Sequence, residues 1–314
     1  ARFAFVSRES MLLGNNAMLV VAMGTVLLGT LYPLLLDALG MGKISVGPPY
    51  FDTVFVPLMT PLIFLMGIGP LSRWREAELP SLARRLRWAA ALTVVMALLT
   101  GWLAGRISPM ATLGFAMSWW LVFSIGTDLL ERLRAGGAGA AGMLGRLQLI
   151  PRTMWGMWLA HLGIAAFAFG VSMVNTFGIE RDVKMELGDT VEVAGYVFTY
   201  RGVRDLEGPN YTAAQGLVEV TRDGKAVATM HPEKRIYRVQ QNPMTEAAID
   251  TGFTRDLYVS LGEPVGNQAW VVRVYFKPFI DWIWGGCLLM ALGGALAATD
   301  RRYRAKKRSE QDLP

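Results

Sequence analysis

The chain holds very few side chains that could ligate a metal or act as a nucleophile. It has only two histidines, His161 and His231, and a single cysteine, Cys287. His161 lies in the apolar run 154–177, roughly 10 Å below the nearer interface if that run forms a membrane helix. An ionisable side chain at that depth is costly, so it needs a partner or a function. Three interpretations are open: a hydrogen bond to another helix, a haem or metal ligand, or a proton relay.

The other candidate residues point to no chemistry. His231 precedes Pro232 in a polar segment without a neighbouring histidine, cysteine pair or carboxylate cluster, so we expect a surface position rather than a metal site. Cys287 has no CxxC partner and is expected to be a small buried hydrophobic residue. The chain has no Walker, GxSxG or HExxH motif, which argues against the ATPase and hydrolase classes that carry them.

Two further features of the apolar runs give weaker evidence for a ligand site. Gly156 and Gly163 flank His161, where they would let another helix or a flat cofactor approach, although such glycines are also common in simple helix packing. Trp119 and Trp120 fall near the middle of an apolar run. Tryptophan at such a position usually packs against a neighbouring helix, and lining a flat aromatic ligand is the rarer alternative.

The elements that must position these residues are membrane spans. The composition is 53% hydrophobic and 18% charged, whereas a soluble domain usually has about a quarter charged residues. The apolar residues fall into blocks without Lys or Arg, each long enough to cross roughly 30 Å of hydrocarbon. This pattern excludes an ordinary soluble enzyme. The six blocks are 17–37, 53–71, 88–104, 110–130, 154–177 and 279–298.

The positive charges predict the orientation of these spans. Lys and Arg are concentrated in segments 1–16, 72–87 and 131–153 and in the tail, whereas the short loops on the other side hold only Lys43 and Arg106. By the positive-inside rule, the N-terminus and the basic tail are cytoplasmic. The net charge of +6 is therefore explained by membrane-flanking loops, and no nucleic-acid partner is expected.

One polar segment, 178–278, interrupts the apolar pattern and is predicted to lie on the outside of the membrane. Its runs of β-branched and aromatic residues indicate strands, and Asp223-Gly224 between two of them is a strong hairpin signal. We therefore predict a polytopic α-helical membrane protein with one all-β domain, a barrel or sandwich, outside the membrane between the last two spans. The predicted divisions are a five-span region 1–177, the β domain 178–278, a final helix 279–299 and a basic cytoplasmic tail 300–314.

Several strings in fixed order carry a resemblance to a known family. They are SRESMLLGNN at 7–16, GTLYPL at 29–34, VGPPYFD at 46–52, WLAHLG at 158–163, EKRIYRVQQNPMTEAAID at 233–250, DLYVSLGE at 256–263 and PFIDWIWGGCLLMALGG at 278–294. Together they resemble the C-terminal part of the CcmF family, the haem lyases of bacterial cytochrome c maturation (System I), and they cover essentially the whole chain.

The resemblance implies an enzyme that forms thioether bonds between haem and the CxxCH cysteines of apocytochrome c. Such proteins receive haem from the chaperone CcmE and act with CcmH and, in many bacteria, CcmI. They lie in the bacterial inner membrane, so the resemblance implies that the β domain is periplasmic. They also hold a haem b between two transmembrane histidines, proposed to keep the incoming haem iron reducible, and His161 in WLAHLG matches the second of these ligands.

The chain also departs from the family pattern. The Trp-rich WWD segment, its flanking external histidines and the first transmembrane ligand match no residue here, so His231 is not expected to ligate haem. We expect the chain to be part of a longer polypeptide whose N-terminal portion supplies these groups, and no residue here is assigned to the thioether chemistry. Two other functions stay open: a non-catalytic scaffold that docks CcmH and apocytochrome c through the β domain, and a transporter of haem or another small molecule.

Overall fold

The computed structural model describes residues 4, 6–72, 74–75, 78–135, 142–239, 241–266 and 269–300, without the side chains of residues 143 and 144. The predicted basic tail lies outside the described residues from position 301 onward. The chain divides into two compact units. One comprises Ala1–Ala168 with Gly286–Pro314, and the other comprises Phe169–Gly285.

Six of the helices are long and apolar enough to span a membrane, which confirms the predicted fold class of a polytopic helical membrane protein with a β domain before its last span. A seventh, short helix in the Arg-rich segment 131–153 was not predicted. In chain order the helices are α1 (Arg8–Ala38), α2 (Pro48–Ile68), α3 (Leu79–Leu103), α4 (Pro109–Ala135), α5 (Met143–Leu149), α6 (Arg152–Phe177) and α7 (Asp281–Ala298), with a 3-10 turn at Gly69–Leu71.

Several helices begin earlier than the apolar blocks that predicted them. Helix α1 starts at Arg8 because the Ser7 hydroxyl caps it and accepts a hydrogen bond from the Ser10 N–H at 3.1 Å. The added first turns of α3 carry Arg85, whose guanidinium pairs with Glu131 near the end of α4. Hydropathy marks only the part of a helix that lies in hydrocarbon, whereas backbone hydrogen bonding continues into the polar turns.

Helix α4 is the most enclosed of the long helices. Its Phe115 and Leu121 are fully buried, and Leu121 belongs to a cluster with Leu62 and Ile63 of α2 and Ala165 of α6. Helix α4 therefore connects α2 to the helix that carries His161.

Two sheets form the β domain, with a core of side chains from both. The four-stranded sheet has the order β1 (Ile179–Met185), β10 (Ala269–Pro278), β9 (Arg255–Val265) and β8 (Ala248–Asp250). The second sheet has the order β2 (Thr190–Val193), β3 (Tyr196–Glu207), β4 (Tyr211–Arg222), β6 (Glu233–Tyr237) and β7 (Pro243–Glu246), and β5 (Lys225–Met230) also pairs with β4.

The hairpin predicted at Asp223-Gly224 joins β4 to β5. Both residues have positive φ angles, 50° and 73°, as a tight turn with twist-matched strands requires. The core between the sheets includes Phe198, Tyr200 and Val218 from one sheet and Leu257 and Val272 from the other, each fully buried. On β3, β4 and β10 these side chains alternate with half-buried or exposed ones, as expected for a two-layer domain.

Candidate functional site

His161 lies on α6, nine residues after Arg152 and therefore about 14 Å along the helix axis. Its side chain is half-buried. Among the residues that the structure describes, none forms a hydrogen bond or an ion pair with its imidazole. The interhelical hydrogen bond considered from the sequence is thus not made within this part of the chain, and the imidazole nitrogens are free to ligate.

The face of α6 opposite His161 is fixed against α7. A Cβ atom added at Gly156 would lie 2.5 Å from the carbonyl oxygen of Gly293, and one at Gly163 would lie 2.6 Å from the carbonyl oxygen of Gly286. At about 100° per residue, Gly156 and Gly163 are roughly 140–160° around the helix from His161. These two glycines therefore serve helix packing and lie on the side of α6 away from His161. We call this close contact between α6 and α7 the glycine seam.

A polar contact closes the end of the glycine seam. Asp300 follows α7 and is 6% exposed, and its carboxylate accepts a hydrogen bond from the backbone N–H of Thr153 at 3.2 Å. An acidic group at the N-terminus of α6 also suits the positive end of the helix dipole. The N-terminus of the helix that carries His161 is therefore tied to the C-terminus of α7.

Two hydrogen bonds hold the other side of α6 to α4, one helical turn before and one after His161. The indole N–H of Trp158 donates to the Asp128 carboxylate at 3.0 Å, and the Ser118 hydroxyl donates to the carbonyl oxygen of Ala165 at 2.7 Å. Trp158 and Ala165 are about 60° and 40° around the helix from His161. The histidine thus sits on the flank of a rigid helix face rather than on a mobile loop.

Asp128 is a buried residue that the sequence reasoning missed. It is 4% exposed, accepts from Trp158 and pairs with Arg132 one turn along α4 at 3.0 Å. The sequence could have indicated its importance, because a carboxylate within the apolar block 110–130 needs a partner inside the membrane. The sequence could not predict that this partner is Trp158, since the two residues are far apart in sequence.

The two mid-span tryptophans make helix–helix contacts. The indole N–H of Trp120 donates a hydrogen bond to the carbonyl oxygen of Phe64 at 3.0 Å, and the two side-chain rings are stacked. The indole of Trp120 also packs against Gly67. Trp119 donates to the Thr100 hydroxyl at 3.0 Å. Both indole N–H groups are satisfied by neighbouring helices, which is the packing role expected for tryptophan at this depth.

The remaining candidate residues are His231 and Cys287. His231 is exposed in the segment between β5 and β6. Within the described residues, no group of three His, Cys, Asp or Glu side chains is arranged to hold a metal ion. The expectation that Cys287 is buried is wrong: it is exposed on α7. The reason is helical geometry, since its neighbour Gly286 faces the glycine seam and Cys287 is about 100° further around.

Comparison with known proteins finds similarity to CcmF proteins. The domain family described as "CcmF C-terminal beta-sandwich" matches residues 176–278, which settles sandwich over barrel for the predicted β domain. The Cytochrome c-type biogenesis protein CcmF of Pseudomonas aeruginosa is 50% identical over 304 residues, covering 97% of this chain and 46% of that protein. The protein of the same name from Escherichia coli is 44% identical over 313 residues, covering 99% of this chain and 46% of that protein.

This chain matches CcmF proteins along nearly its whole length. It spans about half the length, 46%, of the curated relatives that it matches. A solved structure named "Cytochrome c Heme Lyase CcmF" has the same fold, with a TM-score of 0.74 over 94% of this chain and 46% of that chain, at 24% sequence identity. The resemblance noted from short strings is thereby confirmed.

Proposed function

We propose that this chain is the C-terminal part of a haem lyase that attaches haem covalently to the CxxCH motif of apocytochrome c, and that His161 is an axial ligand of a haem b within the membrane. One observation carries the assignment of His161. Its imidazole is the only one on a candidate span, and no described residue occupies its nitrogens. Intramembrane ionisable residues are functional by default, and imidazole is a common haem ligand.

The residues around His161 fit such a group. The surrounding positions of α6 are apolar, and the glycine seam and the Asp128–Trp158 bond fix the helix on both sides. A rigid, apolar backing restricts the orientation of the imidazole, so little freedom is lost when it ligates. The iron of a bound haem would supply a redox couple that can keep an incoming haem iron reduced. The second ligand is expected from the N-terminal portion of the longer relatives.

We also propose the surroundings in which this part works. The β sandwich would face the periplasm and dock CcmH, CcmI, the chaperone CcmE or apocytochrome c, and segment 1–16 and the tail would be cytoplasmic. The division into 1–177, 178–278, 279–299 and 300–314 belongs to the same proposal. Labelling of single cysteines at Thr229 and Gly142, both exposed, by an impermeant reagent from outside tests the orientation. Only the former should react.

The reduced-minus-oxidised optical spectrum tests the role of His161. In the full-length protein purified from membranes, His161→Ala should abolish or strongly shift the b-type bands, because one axial ligand is lost. His231→Ala is the matched control, since it removes the other histidine from an exposed position. A His161→Ala protein with an unchanged spectrum would show that this histidine does not ligate haem.

Removing residues 190–270 from the same protein tests the docking role of the sandwich. Partner recovery in pull-down assays should be lost, while the spectrum reports that the helical part remains intact. Unchanged recovery of the partners would contradict docking through the sandwich. A protein that recovers partners but never contains a membrane haem would instead favour the non-catalytic scaffold.

A further inference from the structure

The short segment between β8 and β9 presents a large aromatic ring to the outside of the sandwich. Phe253 is 76% exposed. A single exposed hydrophobic residue on a soluble surface is ordinary and needs no explanation. The surroundings of Phe253 are different, because the segment is tightly held and its neighbours belong to the ends of membrane helices.

Backbone and side-chain hydrogen bonds fix the conformation of residues 251–254. The N–H of Gly252 donates to the carboxylate of Asp256 at 3.2 Å, and the N–H of Phe279 donates to the carbonyl oxygen of Thr254 at 2.9 Å. Asp256 is itself 8% exposed, and burial raises the pKa of its carboxyl group. The exposed ring of Phe253 is therefore presented by an ordered segment, and ordering it against a partner would cost little entropy.

The aromatic neighbours of Phe253 lie at the beginning of the last candidate span. The indole N–H of Trp282, in the first turn of α7, donates to the carbonyl oxygen of Phe253 at 3.0 Å, and the two rings are 5.5 Å apart. Phe169 of α6 and Phe279 complete the cluster, with ring centres 5.1 and 5.4 Å from that of Trp282. Trp284, in the same turn of α7, is 68% exposed.

We propose that the segment 251–254 is a lipid anchor whose Phe253 ring enters the headgroup region of the bilayer. Aromatic side chains concentrate at the two interfaces of a membrane, and a span that begins at Asp281 places its first turn at such an interface. Phe253 lies directly beside that turn, so the surface in its reach is lipid. The partner is thus the interfacial layer of the membrane, and the sandwich has a second attachment besides its covalent ends.

Site-specific fluorescence in lipid nanodiscs tests this proposal with the full chain. Cys287→Ala removes the single native thiol, and Phe253→Cys then accepts an environment-sensitive fluorophore. Quenching is measured with lipids that carry a nitroxide at the headgroup or at a shallow acyl position, and separately with aqueous iodide. Because Phe253 is exposed, its replacement should leave the thermal unfolding midpoint nearly unchanged.

Val239→Cys is the matched control. Val239 is 94% exposed and follows β6, which pairs with the beginning of β4. Phe253 is two residues before Arg255. Arg255 donates a hydrogen bond to the Tyr196 hydroxyl, which also accepts one from Arg222 at the other end of β4. Strand β4 has 12 residues and is roughly 36 Å long at about 3.3 Å per residue, so the two sites lie near opposite ends of it.

The two labels should behave oppositely. At position 253 we expect a shift of emission to shorter wavelength and several-fold stronger quenching by lipid nitroxides than at position 239, where iodide should dominate. If iodide quenches both labels equally and lipid nitroxides quench neither, the segment faces water and the proposal fails. If the label at 253 is shielded from both kinds of quencher, a protein covers it and the lipid assignment is equally overturned.

Discussion

Replacing Gly293 with alanine is expected to loosen the glycine seam, whereas the same change at the next residue is not. A Cβ atom at Gly293 would lie 2.5 Å from both the backbone nitrogen of Ala160 and the carbonyl oxygen of Gly156. At Gly294, nothing lies within 4 Å of the added atom. Both positions are in α7, so the two variants share the same gain in intrinsic helix propensity.

The expected loss of stability follows from the steric overlap of the added methyl group with α6. Ordinary contacts of a Cβ atom begin near 3.4 Å, so the added methyl group of Gly293→Ala is about 0.9 Å too close to backbone on the facing helix. Backbone atoms cannot rotate away as a side chain can, so α6 and α7 must separate. Overpacking of this kind costs about 1–3 kcal/mol, and this should be the stability difference between the two variants because the propensity gain cancels.

Unfolding of the purified protein in detergent, followed by tryptophan fluorescence, measures this difference. We expect the midpoint of Gly293→Ala to fall clearly below the midpoint of wild type, and that of Gly294→Ala to stay at or slightly above it. Equal midpoints for the two alanine variants would refute the argument, since they would mean that α6 and α7 do not meet through their backbones at this position.

Two further changes have defined outcomes. Asp128→Ala leaves the buried Trp158 indole N–H without an acceptor and should lower the free energy of unfolding by about 1–3 kcal/mol. Asp128→Asn keeps an acceptor and should lose less stability. Equal losses for the two variants in the same unfolding assay would contradict this. Burial tends to raise the pKa of Glu233, but hydrogen bonds from Arg235 and Gln215 outweigh it and lower that pKa below its ordinary 4.5. The Glu233 carboxylate therefore stabilises the sandwich above about pH 4.5, and this contribution is lost as the pH falls through the lower, folded-state pKa. Thermal midpoints of Glu233→Gln should depend less on pH in that acid range than those of wild type.

Hydropathy and strand patterns predicted the architecture because each rests on local information. A span must be apolar over its own length, and the Asp223-Gly224 turn needs only its two residues and the strands beside them. The helix ends were predicted less well, because the first turns of α1 and α3 are polar and lie outside the apolar blocks. The burial of Cys287 was misjudged because hydrophobicity does not tell which face of a membrane helix meets another helix.

The candidate site was predictable only in part. His161 stood out because an ionisable residue in a membrane helix is rare. The pairing of Trp158 with Asp128, and of Gly156 with Gly293, depends on how helices distant in sequence are arranged, and no local pattern encodes that. The free nitrogens of His161 likewise became visible only once its neighbours were in place.

The glycine seam also changes the thermodynamics of the sandwich inserted between its two helices. The chain enters the sandwich from α6 and returns to α7, and β1 pairs with β10 along the way. While α6 and α7 remain together, the unfolded sandwich is a closed loop of roughly 100 residues, which has fewer conformations than a chain with free ends. Closing such a loop is worth on the order of 4 kcal/mol. The same sequence excised with free termini should be less stable by a similar amount, so the paired helices act on this cysteine-free domain as a disulfide acts on a secreted one.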